Sequence, residues 1–210
     1  MKTLLDLENW NRKEHFEHFS RMEEPFFGAT VEIDCTKAYE NAKELKVSFF
    51  IYYLHQTLTA VNAIENFRYR ISEDKIYSND RIDASATIGR EDGTFGFSLI
   101  EYNPDLKVFE KIALTEIERI QNTTGLFTRS FDDDNLIHFS AIPWLNFTSL
   151  SHARSFTFPD SCPKISFGKM ITSENDKKTM AMSVHVHHGL MDGLHVGQFV
   201  DLLQNLMNSK

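Results

Sequence analysis

Cysteine is scarce in this 210-residue chain. Cys35 and Cys162 are the only two, and they form no C-x-x-C pair. That excludes a disulfide-stapled scaffold and a multi-cysteine metal cage, and it fits a reducing compartment, with both residues read as small apolar side chains. No stretch approaches the ~18 consecutive apolar residues of a membrane-crossing helix. The opening MKTLLDLENWNRKEH meets Asp6 and Glu8 too early for a secretory apolar core, so a cytoplasmic location is expected. Positive charge is also in deficit: 22 Lys and Arg stand against 30 Asp and Glu, for a net charge of −8. With no long basic run, neither nucleic acid nor an anionic membrane is an expected partner. Only 9 glycines and 5 prolines occur, and no repeat or Pro/Gly-rich linker interrupts the order. A single domain over 1–210 is expected. What is abundant is apolar bulk, 41% hydrophobic residues with 18 phenylalanines, enough for a sizeable core.

Periodicity gives the elements. Arg12 to Met22 reads as a short helix capped by Asn11, and Phe26 to Ile33 as a strand. Asp34 opens a helix around Ala38 to Leu45, and Ser48 caps a longer, largely buried one through Ile64, in which His55 is a core or interface histidine. FRYRI, KIY, SATIG and FGFSLIEY, between Phe67 and Tyr102, predict short strands in an antiparallel meander. A helix starts at Pro104 and ends near Gln121. Asp132, Asp133, Asp134 and Asn135 lack the spaced glycine and glutamate of a calcium loop and read as a turn. Leu136 to Trp144 is a strand broken by Pro143, followed by strands over Pro163 to Ile171 and Thr179 to His187. Five helical segments and about eight strands, mixed rather than alternating, predict an α+β layer fold with helices on a mixed sheet.

The chemistry concentrates in Thr179 to Val200, a strand, a tight turn and a helix. At period two, His188 shares the apolar face of Met180, Met182, Val184 and Val186, while His185 and His187 point the other way. Such a histidine is either a satisfied core residue or a general base at the dry end of a strand. A zinc site of His185, His187 and His188 has the right residue type but the wrong geometry, since adjacent strand residues diverge. No metal is expected.

Three separated strings then agree: Trp10-x-Arg12-x-Glu14-His15-Phe16, Ser140-Ala141-x-Pro143-Trp144 and His187-His188-x-x-x-Asp192-Gly193. Together they resemble the signatures of the chloramphenicol acetyltransferase family, in family order and over nearly the whole chain. The shorter H-x-x-x-D-G core also occurs in other acyl-coenzyme A acyltransferases and in peptide-synthetase condensation domains. The resemblance implies a two-layer sandwich with helices on a mixed, largely antiparallel sheet. It also implies a homotrimer with active sites at subunit interfaces, and acetyl transfer from acetyl-coenzyme A to a hydroxyl of chloramphenicol or a related small acceptor.

By that resemblance His188 is the general base and Ser140 donates to the tetrahedral oxyanion. Arg12 pairs with Asp192 to brace the turn, and Ser166 stands where the family usually has a threonine that helps hold a water. Trp144 and Lys169 fall to acetyl-coenzyme A as co-substrate. The acceptor pocket falls to Phe19, Glu23, Phe27, Phe95, Phe127, Leu150, His152 and Lys164. Glu23, His152 and Lys164 depart from the family's apolar lining, and His138 replaces an asparagine two residues before the serine. Charge costs free energy beside an apolar drug unless it pairs, so Glu23 and Lys164 are expected to pair with each other or to meet a more polar acceptor. The alternative function is a non-catalytic small-molecule sensor on the same scaffold.

Overall fold

The computed structural model describes residues 1–131, 134–155 and 160–209. Ten strands and five α-helices follow in chain order among them: β1 (Lys2–Leu4), α1 (Lys13–Phe19), β2 (Phe26–Asp34), α2 (Thr36–Leu45), α3 (Phe49–Ala63), β3 (Tyr69–Ser72), β4 (Lys75–Asn79), β5 (Asp83–Gly89), β6 (Phe95–Phe97), α4 (Leu106–Gln121), β7 (Leu136–Ala141), β8 (Lys164–Phe167), β9 (Ile171–Thr172), β10 (Lys178–His187) and α5 (Gly193–Asn208). Asp132 and Asp133 of the acidic turn lie outside the described residues.

The main sheet has the order β2-β10-β8-β7-β5-β6, with β9 also on β10. β7 runs parallel to both β5 and β8, and the other pairs are antiparallel, so the sheet is mixed and largely antiparallel as expected. Helices α2, α3, α4 and α5 bury one face of it. Ile51, Leu54, Leu58, Phe199 and Leu203 from the helices meet Ile137, Phe139, Ile165, Phe167, Met182 and Val184 from the strands in one apolar cluster. The period-two alternation of each strand leaves its polar residues on the opposite face.

The expected meander is split between two sheets. β3 and β4 join β1 in a separate three-stranded sheet, while β5 and β6 belong to the main one. The FGFSLIEY strand also stops early. At Ser98 the side-chain oxygen takes the Ala86 N–H at 3.1 Å, and the next amide, Leu99 N–H, turns to Glu116 Oε1 at 2.8 Å. Side chains thus interrupt the ladder at Ser98 and Leu99, and backbone pairing resumes for one bridge between Ala84 and Ile100.

Two caps also differ from expectation. Ser48 precedes α3 without a side-chain capping bond, and Arg12, not Asn11, is the residue at the start of α1. Asp105 caps α4 through the amides of Lys107 and Val108, with Pro104 just outside. His55 is the buried core histidine expected, its Nε2 3.0 Å from Asn103 O.

A second, smaller apolar cluster unites Phe16, Tyr69, Ile76 and Leu190, with Trp10 against it. Trp10 meets Tyr69 edge-on, with centroids 5.6 Å apart. This cluster seats α1 against the turn after β10, which is how residues near position 10 and near position 190 come together.

Candidate active site

β10 delivers its histidines to opposite faces of the sheet. In the β10–β2 register Val186 faces Phe27 and His187 faces Phe26. His188, the next residue, rests on the Phe27 side as the alternation predicts. Its ring stacks on Phe19 at a centroid distance of 3.9 Å and an interplanar angle of 8°, and it tilts against Phe27 at 4.6 Å. The backbone is fixed too, since His188 N–H donates to Pro25 O at 2.8 Å. Nδ1 of His188 is buried and has no hydrogen-bond partner.

His187 and His185 occupy the other face. His187 packs edge-on to Phe26 at 5.7 Å, and its Nδ1 accepts the Gly189 N–H at 3.1 Å. Of the two adjacent rings His187 is the drier, at 4% exposure. Burial, aided by the nearby Arg154 charge, pushes it down to about 4. His185 lies over Gly28, where any Cβ would come within 2.3 Å of its Nε2. A side chain at position 28 would therefore force the His185 ring to move.

Arg12 and Asp192 do meet. Arg12 Nη1 donates to Asp192 Oδ2 at 2.6 Å, and Arg12 Nη2 donates to the carbonyl of His188 at 3.3 Å. The guanidinium thus ties both ends of the turn. Asp192 has a further role that the pairing alone does not suggest: it is the N-cap of α5. Its Oδ1 accepts the Leu194 amide at 3.0 Å and lies 2.9 Å from His195 Nδ1. Burial works to raise the Asp192 carboxyl, but the hydrogen bond and charge of Arg12 outweigh it and hold the group at about 2. Asn66 adds a bond to Leu190 O at 3.0 Å.

Ser140 and Ser166 are direct neighbours in the parallel β7–β8 register, and Ser183 continues the row on β10. The Ser166 hydroxyl is buried without a hydrogen-bond partner. Ser140, however, is remote from His188 of the same chain. Ser183 shares its row, five residues before His188 and two strands away. At ~3.3 Å per residue and ~4.8 Å per strand, the separation is roughly 19 Å.

The expected acceptor residues divide among several places. Phe19 and Phe27 flank His188. Phe127 lines a cavity of about 370 Å³, together with Phe97, Phe131, Ser85, His138, Cys162 and other residues. Phe95 is 45% exposed and touches the cavity only through Phe97, which replaces it in the lining. Leu150 lies near His185, which its backbone hydrogen-bonds, and His152 sets its ring edge-on to His185 at 4.8 Å. Lys164 is buried in the next cross-strand row, between His138 and His185. It pairs with Asp160 at 2.5 Å and not with Glu23, which is exposed and shows no ion pair among the described residues.

Trp144, 80% exposed, and exposed Lys169 come together, because Lys169 N–H donates to Leu145 O at 2.7 Å. Sequence reasoning missed Asp160, Arg154, Arg70 and Phe97. Only Asp160, four residues before Lys164, carried a legible charge spacing. Cys162 is also more than a small apolar filler. Its Sγ lies 2.9 Å from Leu136 O, and its interaction with His138 raises that imidazole above its ordinary value. Among the described residues no group of three or more His, Cys, Asp and Glu side chains is arranged to hold a metal ion.

Comparison with known proteins gives the chain's relatives. The family profile for chloramphenicol acetyltransferase matches residues 1–204. Chloramphenicol acetyltransferase 3 of Escherichia coli is 32% identical over 210 residues, covering 99% of this chain and 98% of that one. A chloramphenicol acetyltransferase of Bacillus pumilus is 28% identical over 95% of this chain and 91% of its own. A solved chloramphenicol acetyltransferase structure superposes with a TM-score of 0.89 at 31% identity, over 99% of this chain and all of its own. A probable dihydrolipoamide acetyltransferase of Listeria monocytogenes shares the fold, with a TM-score of 0.68 at 16% identity over 94% of this chain and 90% of its own. The chain belongs to the chloramphenicol acetyltransferase family, and by that membership it is an acetyltransferase.

Proposed function

We propose that the protein moves an acetyl group from acetyl-coenzyme A to a hydroxyl of chloramphenicol or a related small acceptor, by direct attack. His188 takes the hydroxyl proton as the acceptor oxygen adds to the thioester carbonyl, and the Ser140 hydroxyl donates to the resulting oxyanion. Collapse breaks the carbon–sulfur bond, and the proton held by His188 leaves with the coenzyme A thiol. Trp144 and Lys169 flank the coenzyme's path, Ser166 holds a water beside the oxyanion, and no metal takes part.

The observation that carries this reading is the clamp on His188. Its ring is fixed between Phe19 and Phe27, and its carbonyl and the Asp192 carboxylate are held by one guanidinium. A sensor has no use for an imidazole aimed so rigidly, whereas proton abstraction depends on it. The separation of His188 from Ser140 within one chain favours assembly from copies, His188 facing Ser140 of a neighbour in a cyclic homotrimer. Phe19, Phe27, Phe127, Leu150 and His152 would wall the acceptor, with Phe97 in place of Phe95.

Release of thiol from acetyl-coenzyme A, measured with chloramphenicol and a panel of other alcohols, tests the reaction. Acceptor-dependent release supports it. Binding of acceptors with no release from any of them returns the sensor.

A further inference from the structure

Phe97, Phe127 and Phe131 make the aromatic wall of the 370 Å³ cavity. Phe127 is the most exposed of the three, and its ring meets Phe97 at 5.3 Å and Phe131 at 6.4 Å. The segment that carries it belongs to no strand or helix. It leaves α4, turns at Gly125 with φ at 91°, and touches β6 through an isolated bridge between Phe127 and Phe97, where Phe97 N–H donates to Leu126 O at 3.0 Å. Holding such a ring in one place costs conformational entropy that other anchors must offset.

Those anchors converge on Glu116, a residue of α4 that is 6% exposed. Its Oε1 accepts the Leu99 N–H at 2.8 Å, two residues beyond Phe97. Arg119 grips the same carboxylate in a fork, Nε to Oε2 at 2.7 Å and Nη2 to Oε1 at 2.9 Å. The guanidinium then reaches on to the residue beside Phe127: Nη2 donates to the Thr128 hydroxyl at 3.0 Å and Nη1 to the Thr128 carbonyl at 3.5 Å. Arg129, one residue further, brings Nη1 to 3.6 Å from Glu116 Oε1. Burial works to raise the Glu116 carboxyl, but the Arg119 and Leu99 hydrogen bonds outweigh it and hold the group below its ordinary value. One charged carboxylate thus fastens both segments of the wall, the Phe97 side directly and the Phe127 side through two arginines.

Resting on the acetyl-transfer reading, in which this wall receives the acceptor, we infer that Glu116 is a positioning residue for acceptor recognition: with Arg119 it holds Phe127 against Phe97, and the wall so fixed selects alcohols with an aromatic body. Stacked or edge-on ring contacts need centroids within ~4.5–7 Å, a window that a wandering Phe127 would leave. Among the described residues none of the clamp's hydrogen bonds involves His188, Ser140 or Ser166. Its loss therefore acts on acceptor binding and not on proton transfer.

Steady-state kinetics of the full-length protein with chloramphenicol and acetyl-coenzyme A decide this. Glu116→Gln, which leaves Arg119 without its charged partner, should raise KM for chloramphenicol by about three- to tenfold, the worth of one aromatic contact, while kcat and the KM for acetyl-coenzyme A stay near wild type. Thr128→Val removes only a hydroxyl from a half-buried side chain and should raise the same KM by about twofold or more. Glu116→Gln combined with Arg119→Met takes away the unpaired charge, so stability to urea should recover while KM stays high, a split that packing alone would not give. An unchanged KM in either single variant, or a KM restored along with stability in the combined one, overturns the inference while leaving acetyl transfer intact. Should Glu116→Gln fail to fold, Thr128→Val decides by the same KM. Absence of thiol release from every alcohol, chloramphenicol included, overturns the reaction instead. Calorimetric binding of chloramphenicol and 4-nitrobenzyl alcohol then still decides the clamp: weaker binding to Glu116→Gln and Thr128→Val than to wild type upholds it, and equal binding, or none to wild type, overturns it.

Discussion

Arg12 and Asp192, 180 positions apart in the chain, meet at 2.6 Å across the turn that carries His188. The arginine is buried and the aspartate one-third exposed, so the pair sits between a surface bridge and a fully buried one. Arg12→Met should cost about 2–3 kcal/mol, somewhat below the 3–5 kcal/mol typical of wholly buried pairs. Asp192→Asn keeps an N-cap residue for α5 and removes only the charge. The double variant should lose less stability than the sum of the two single losses, by urea denaturation, yet stay slow because the His188 carbonyl is no longer held. Strictly additive losses would show that the two side chains do not interact.

Acid should act on the fold in two windows. His187 has its imidazole lowered from 6.5 to about 4 by burial, so the unfolded chain binds its proton first and stability falls as pH drops through that interval. The loss is on the order of 2–3 kcal/mol. Asp192, held at about 2, contributes stability that is full above pH 4 and fades as pH falls toward 2. Denaturation between pH 7 and pH 3 should show His187→Gln flatter above pH 4 and Asp192→Asn flatter only below it. A His187→Gln profile parallel to the wild type above pH 4 would remove the first assignment.

Much of this was readable from residue order, because alternation and capping act locally. Period two correctly separated His188 from His185 and His187, and the five helices fell near their observed positions. The strand pairing of Phe67 to Tyr102 was not readable, because partners are chosen by tertiary packing: β4 found β1, 70 or more residues upstream, rather than β5. The Lys164 partner failed for a similar reason. Glu23 and Asp160 are equally acidic in sequence, and only the path of the backbone puts Asp160 within 2.5 Å. Arg154 and Arg70 carried no motif at all; their burial on the sheet face is a property of the assembled fold.

Phe19 holds the His188 ring by a parallel stack at 3.9 Å. Phe19→Ala should lower turnover by roughly tenfold to a hundredfold through a loosened imidazole, whereas Phe19→Tyr retains the stack and most of the rate. His188→Ala removes the base itself and should cost about 10²–10⁴. If Phe19→Ala left turnover unchanged, the stack would be packing alone.

Ser140 and Ser166 are adjacent hydroxyls with unequal expected effects. Ser140→Ala removes a direct oxyanion donor and should lower kcat by about 10²–10³ with little change in KM. Ser166→Ala, acting through a water, should cost less, and Ser166→Thr should restore the rate. Equal losses would mean that both hydroxyls touch the oxyanion.

The separation of about 19 Å between His188 and Ser140, set by five residues of strand and two strand spacings, makes a mixing experiment decisive. His188→Ala and Ser140→Ala chains should each be nearly inactive alone. If every site takes His188 from one copy and Ser140 from the next, co-expressed chains assemble interfaces that pair an intact His188 with an intact Ser140. With random mixing in a cyclic assembly, about one interface in four is whole, so activity should return to about a quarter of wild type. Activity no greater than the two variants measured separately would confine each site to one chain. The strand geometry would then have to change on ligand binding to bring the base to its oxyanion donor.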